Sequence, residues 1–272
     1  AEIMPGGRER RIVEPGMLGP WGLAVTADGT LYAAAGLSVL RHRPDGAIDR
    51  PGRLLMAGFP GFARNVAVGN DGTMYLVNSG GAVASYVFGE EARFLVNELD
   101  QVMGIAVQAD GSVLACEYGG GRLLSLKAGG APTTLASGLD RPTGVAVGEG
   151  GRIFVAEGGA GRVVEIRGKD KDEVLSGLQE PHGLAVAGDD LYVLDRAGKA
   201  VHHVALASRK AEAIARGLPF GSAPGITPKP LPGLTGLLPG PILPFAGLAV
   251  APDGTIYAAA DGEGSILALR RR

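Results

Sequence analysis

The 272-residue chain contains one cysteine, Cys116, one tryptophan, Trp21, and otherwise only seven Phe and six Tyr as aromatic residues. A lone thiol excludes an intramolecular disulfide and any metal cage built from cysteines. No run of about 18 apolar residues occurs, so no segment reads as membrane-inserted. The opening residues AEIMPGGRERR lack the apolar centre of a signal peptide, and the chain as given reads as soluble. Charge of one sign is missing too: 26 basic residues stand against 28 acidic ones, a net −2 that offers no general field for nucleic acid or anionic lipid. No nucleic-acid partner is expected.

Glycine and proline are abundant, at 46 and 18, which excludes a protein of long helices. A hydrophobic fraction of 46% with 20% charged residues still places the chain among globular proteins.

The glycines are periodic. Six copies of one unit can be aligned: WGLAVTADGTLYAAAG, RNVAVGNDGTMYLVNSG, MGIAVQADGSVLACEYG, TGVAVGEGGRIFVAEGG, HGLAVAGDDLYVLDRAG and AGLAVAPDGTIYAAADG. Their anchor residues are Gly22, Asn65, Gly104, Gly144, Gly183 and Gly247, at spacings of 43, 39, 40, 39 and 64. In each unit an apolar strand runs into a turn such as Asp28-Gly29 or Asp71-Gly72 and then into a second strand, which is a hairpin signal. A Gly-rich bend follows, with a third strand (Arg122 to Leu126, Arg162 to Ile166) and a fourth (Thr133 to Ala136, Asp172 to Leu175). Four antiparallel strands every 40 residues make a propeller blade. Ala24, Ala67, Ala106, Ala146, Ala185 and Ala249 occupy the middle of the first strands, where blades crowd towards the axis. The last unit has three strands, ending at Ser265 to Arg270, and a strand near Arg11 to Glu14 is placed to complete it, leaving no open edge. The reading is all-β: a six-bladed β-propeller of four-stranded antiparallel blades, one domain over 1–272, with an insertion at about 219–243.

The unit Arg141-Pro142-Thr143-Gly144-Val145-Ala146-Val147, followed by Ile153-Phe154-Val155-Ala156-Glu157 and Gly161-Arg162, resembles the NHL repeat. The resemblance covers nearly all of the chain outside 219 to 243. It implies membership of the broad superfamily that includes senescence-marker-protein/gluconolactonase-like and strictosidine-synthase-like propellers. Such propellers include protein-binding and RNA-binding modules, metal-dependent lactonases and lyases, so the fold leaves the chemistry open.

The residue before each anchor begins an innermost strand and is expected to ring one opening of the channel: Trp21, Arg64, Met103, Thr143, His182 and Ala246. The second strands end on that face, at Ala35, Asn78, Glu117, Glu157, Asp195 and Ala260, with Asp261 next. The resemblance implies that gluconolactonase-type enzymes draw metal ligands from the first of these rings, which here holds no carboxylate. No cofactor is expected, and a calcium or zinc ion stays open only through Glu117, Glu157 and Asp195, with His182 able to join Glu157 or Asp195. The other reading of the three acids is that they bond backbone amides or pair with Arg122, Arg162 and Arg196. His182 has Trp, Arg, Met, Thr and Ala at the equivalent positions, so no fold requirement explains its imidazole. His202 and His203, adjacent on a strand, face opposite sides and read as blade surface. His42, between Arg41 and Arg43, reads as solvated.

Residues 219–243, PFGSAPGITPKPLPGLTGLLPGPIL, contain seven prolines and one charged residue, Lys229. Apolar residues such as Leu234, Leu237 and Leu238 need cover, so the segment reads as a lid, a docking surface or packing on its own blade. The leading expectation is a monomeric recognition propeller, either alone or as a domain of a larger protein. It would engage a protein partner or an apolar small molecule through Trp21, Arg64, Met103, Thr143, His182 and the leucines of the insertion. The competing expectation is a lactonase-like hydrolase, lyase or cyclase, with His182 as general acid or base and Arg64 stabilising negative charge.

Overall fold

Short strands rich in Val, Leu, Ile and Ala, punctuated by Asp-Gly turns, favour hairpins over any long element. The computed structural model describes residues 2–3, 11–12, 19–36, 38–53, 63–78, 80–222 and 243–270, and assembles them into the six-bladed propeller expected from the repeat.

Blade 1 comprises Leu23–Val25, Leu31–Ala35, Ser38–His42 and Ile48–Arg53, and blade 2 comprises Ala63–Val68, Met74–Asn78, Val83–Tyr86 and Arg93–Val96. Blade 3 runs through Val102–Val107, Val113–Glu117, Arg122–Leu126 and Thr133–Ala136, and blade 4 through Pro142–Val147, Ile153–Glu157, Arg162–Arg167 and Asp170–Leu175. Blade 5 holds Pro181–Ala187, Asp190–Asp195, Ala200–Ala205 and Lys210–Arg216. Each is a four-stranded sheet in sequence order. Blade 6 takes Leu248–Val250, Ile256–Ala260 and Ser265–Leu269 from the C-terminal part of the chain. It is completed from the other end: Arg11–Ile12 pairs antiparallel with its third strand, Arg11 opposite Leu267, and Glu2–Ile3 pairs parallel with the same strand. Among the described residues the one helical turn is a 3-10 turn at Glu149–Gly151, and no helix is long and apolar enough to cross a membrane.

The first turns of blades 1, 2, 3 and 6 show why Asp-Gly is used. At Asp28-Gly29 the glycine has φ +84°, which a side chain rarely adopts, and the aspartate accepts the amide of Thr30 at 3.0 Å. Asp71, Asp110 and Asp253 repeat that bond to Thr73, Ser112 and Thr255.

The core is divided among the interfaces between blades. The central alanine of each first strand packs against the first-strand branched residue of the next blade: Ala67 with Ile105, Ala146 with Leu184, Ala185 with Leu248 and Ala249 with Leu23. The tightest approach falls at the anchor glycines, two residues before the central alanines. A Cβ on Gly144 would run into the carbonyl oxygen of His182, and one on Gly247 would sit 2.5 Å from that of Trp21. Small residues at both positions let six innermost strands converge, leaving an axial void of about 40 Å³ lined by Leu23, Asn65, Gly104, Gly144, Gly183 and Leu248. That space suits a water or two and excludes an organic ligand.

Because both faces of a blade are covered by its neighbours, His202 and His203 do not lie on an open surface as expected from their strand. His203 is buried, with Nε2 2.5 Å from Asp190 Oδ1 and its ring against Tyr192, while His202 is half-buried and its pKa is lowered by desolvation. His42 is half-buried and lines a polar cleft of about 550 Å³ between blades 1 and 6, with Asp28, Asp253, Tyr257 and Arg270.

Candidate functional site

The connections that lead from an outermost strand to the next innermost strand, and the bends between second and third strands, share one face of the ring. The six residues before the anchors lie there, as the repeat predicts, but at irregular backbone. The first strands shift register between Ala63 and Asn65, Val102 and Ile105, Pro142 and Gly144, and Pro181 and Leu184. These bulges turn the residue before the anchor towards the next blade instead of into open solvent. Arg64, Met103, Thr143 and His182 are each no more than 2% exposed, and Trp21 is half-buried.

Their bonds run from blade to blade. Arg64 Nη1 donates to Met103 Sδ at 3.1 Å and to the Val102 carbonyl at 3.4 Å, and burial pulls its pKa down to about 10. Asn65, the one anchor that is not glycine, donates Nδ2 to the Met103 carbonyl at 3.0 Å. Thr143 Oγ1 donates to the Pro181 carbonyl at 2.6 Å. The amides of Gly183 and Gly247 donate to the carbonyls of Ala246 and Trp21.

His182 is held on three sides. Its Nδ1 accepts the Ala246 amide at 3.3 Å, its ring stacks on Phe245 with centroids 5.6 Å apart, and Nε2 lies 3.5 Å from Glu180 Oε1. An Nδ1 that accepts an amide proton places the ring's own proton on Nε2, directed at Glu180.

The second-strand acids do not converge. Glu117 accepts the Asp100 amide at 3.0 Å and Arg122 Nε at 2.5 Å; burial would raise its pKa, but these partners outweigh it and lower it. Glu157 accepts the Asp140 amide at 2.8 Å and Arg162 Nε at 2.6 Å. Asp195 accepts the amides of Gln179, Glu180 and Gly198. Each acid therefore ties the incoming connection to its own bend. Among the described residues, no three His, Cys, Asp or Glu side chains gather as a metal site. Arg196 departs from its expected pairing with Asp195, whose oxygens are taken by amides. It reaches Glu180 Oε2 at 2.9 Å and Asp261 Oδ2 at 2.7 Å in blade 6.

The side chains that the structure does join are His182, Glu180, Arg196 and Asp261. Asp261 Oδ1 also accepts the amide of Gly221, so the network binds both described ends of the insertion, Gly221 on one side and Phe245 with Ala246 on the other. Leu234, Leu237 and Leu238 lie outside the described residues. Glu180 is the member that sequence reading passed over. A signal existed: the position three before the anchor holds Gly19, Gln101, Arg141 and Pro244 in other blades, so the fold does not require an acid there. Burial alone would raise the Glu180 pKa, yet the neighbouring His182 and Arg196 bring it down to about 2.

No protein-family model matches the chain, and no curated protein matches it. Solved structures do. Aldose sugar dehydrogenase from Streptomyces coelicolor, in its PQQ-bound form, is 16% identical with a TM-score of 0.68, covering 96% of this chain and 97% of that one. Virginiamycin B lyase from Staphylococcus aureus is 14% identical with a TM-score of 0.65, covering 96% and 98%. A chain of a nidogen/laminin complex is 19% identical with a TM-score of 0.64, covering 71% and 79%. Identities this low establish the shared propeller fold. Two of these neighbours carry enzyme names and the third comes from a protein complex.

Proposed function

We propose that this chain is a recognition propeller of NHL-like type, binding a small molecule or a protein segment at its mouth face over blades 3 to 5. The observation that carries the reading is the state of its most enzyme-like group. His182 is 2% exposed, one ring nitrogen is occupied by a backbone amide and the other faces a carboxylate. Glu180 beside it, with a pKa of about 2, stays ionised at any ordinary pH and is a weak proton acceptor. Glu180 is therefore not poised to exchange protons near neutrality, whereas a fixed carboxylate whose side chain is 36% exposed is suited to binding. Arg64, Met103 and Thr143 act in this reading as supports beneath the face, and Trp21 remains partly available for contact.

A second reading, a lyase or hydrolase centred on His182 with Arg64, is favoured by one feature: an imidazole directed at a carboxylate in a fold similar to that of virginiamycin B lyase. One experiment separates the two. Amide chemical shifts are followed while a panel of neutral, cationic and anionic small molecules is added, and the same panel, extended by lactones and cyclic depsipeptides, is assayed for turnover. The recognition reading expects shifts confined to the mouth face and no product. Turnover that His182→Ala removes while the fold persists overturns it.

A further inference from the structure

Among the described residues, five that are not glycine have left-handed backbone: Glu98, Gln101, Arg141, Lys199 and Arg209. Such backbone is unfavourable for an L-residue and persists only where the surroundings impose it. Internal repetition reveals what the fold itself prefers at each position, because the same turn is built several times in one chain.

Lys199 shows the largest departure. It precedes the third strand of blade 5, as Gly121, Gly161 and Gly264 precede those of blades 3, 4 and 6. These glycines have φ of +60°, +63° and +74°, and Lys199 has +51°. The carbonyl of Lys199 accepts the Leu218 amide, just as those of Gly121 and Gly161 accept the Leu139 and Leu178 amides, each at 3.0 Å. In blade 3 a Cβ would stand 2.7 Å from the Leu139 oxygen, and in blade 4 closer still to that of Leu178. Lysine thus occupies a turn for which blades 3, 4 and 6 use glycine, although in blade 6 a Cβ on Gly264 would meet no neighbouring atom. Its Nζ donates to the Ser222 carbonyl at 3.4 Å, at the foot of the insertion.

Arg141 and Gln101 repeat the pattern three residues before their anchors. Gly19 fills that position in blade 1 with φ +61°, whereas Gln101 and Arg141 adopt +58° and +49° in blades 3 and 4. Arg141 is 57% exposed, contacts the Tyr118 side chain and lies 3.5 Å from Asp140 Oδ1, and both side chains stand over the bend, where a Cβ on Gly159 would meet the Asp140 carboxylate and the Arg141 Nε. Of the other two residues, Glu98 sits at the outer rim where its connection begins, and Arg209 is in a third-to-fourth-strand hairpin on the opposite face. Gln101, Arg141 and Lys199 therefore place an amide and two cations, in three successive blades, on one face. Neither cation belongs to the network in which Glu180 and Asp261 neutralise Arg196; Arg141 faces the exposed Asp140 carboxylate and Lys199 reaches the Ser222 carbonyl.

We propose that Gln101, Arg141 and Lys199 form an anion-recognising arc on the mouth face, taking a carboxylate or phosphate group of the ligand. Strain at these turns is then the structural cost of holding long donors where glycine would fold more easily. The inference rests on the recognition reading and names the chemistry it serves.

The test uses inorganic phosphate and succinate, each against sodium chloride of equal ionic strength, with thermal melts and amide shifts as readouts. Wild type, Arg141→Gly, Lys199→Gly and Lys199→Ala are compared. The glycine variants copy residues that sister blades already use, so they fold, and Lys199→Gly melts higher than wild type by about 1 to 4 °C. Phosphate or succinate raises the wild-type melting temperature and shifts mouth-face amides, and the double glycine variant loses both responses. Lys199→Ala loses the response without the gain in stability, separating charge from strain. A larger response to succinate identifies a carboxylate ligand, and a larger response to phosphate a phosphorylated one. Lower melting of both glycine variants, or an undiminished anion response in the double variant, overturns the proposal. If neutral or cationic compounds shift the mouth-face amides and the two anions do not, the anion arc fails while the recognition reading stands. If nothing in the panel shifts them, both fail.

Discussion

Arg196 and Asp261, 65 residues apart in the chain, form a 2.7 Å ion pair that joins blade 5 to blade 6 across the foot of the insertion. Their side chains are 10% and 5% exposed, so the pair belongs to the buried class, in which removing one partner costs far more than the pair contributes. Arg196→Met is expected to destabilise the protein by about 3 kcal/mol, read from urea unfolding. Asp261→Asn, which keeps an acceptor for the Gly221 amide, is expected to cost less. Equal effects would mean that packing, not the unpaired charge, dominates.

Acid should weaken the same network. The Glu180 pKa is lowered from 4.5 to about 2 in the folded protein, so its contribution is fully present above the unfolded value and is lost as pH falls from about 4.5 towards 2. Because the side chain is 36% exposed, solvent screening reduces the contribution to about 1 kcal/mol. Several other carboxylates, Glu165 and Asp110 among them, are lowered as well, so the whole protein loses stability in acid. The difference between wild type and Glu180→Gln isolates this residue: unfolding free energies measured from pH 6 to pH 2.5 should converge as pH falls.

His182 offers a graded pair of substitutions. His182→Ala leaves the Ala246 amide without its acceptor and opens space against Phe245, for a loss of about 2 to 4 kcal/mol. His182→Asn can present a side-chain oxygen to the same amide and should recover part of that loss. Denaturant midpoints of the two variants check this, and identical values would mean that the amide bond contributes little.

Gly144 tests the convergence of the innermost strands. A methyl group there collides with the His182 carbonyl, so Gly144→Ala should cost about 3 kcal/mol or prevent folding. Gly130→Ala is the control, since the nearest atom to its new Cβ is 3.6 Å away. Circular dichroism melts of the two variants distinguish a local steric demand from a general sensitivity of glycines.

The chain alone determined the blades. Asp-Gly turns, alternating strands and a 39 to 43 residue spacing are local signals, and each recurs because every blade solves the same problem of covering its two faces. Ring closure by Arg11–Ile12 was equally legible, because a three-stranded final unit needs a partner for its edge. Tertiary structure decided the rest. Whether Arg64, Met103, Thr143 and His182 faced solvent depended on bulges that turn them towards the next blade, and nothing local distinguishes a bulged strand start from a straight one. Glu117 and Glu157 bond within their own bends because arginine follows at the right distance, whereas Arg196 crosses to blade 6 because amides had already saturated Asp195. The Glu180–His182 contact spans only two residues, yet its significance comes from Ala246 and Arg196, brought to it by other strands. The unusual turns at Lys199, Arg141 and Gln101 occupy plain positions in the repeat, but their strain was invisible until backbone angles showed glycine geometry under long side chains. Sequence periodicity specifies which elements form, because strand and turn preferences act over a few residues. The site depends on directions and distances between elements, which exist only once the ring has closed.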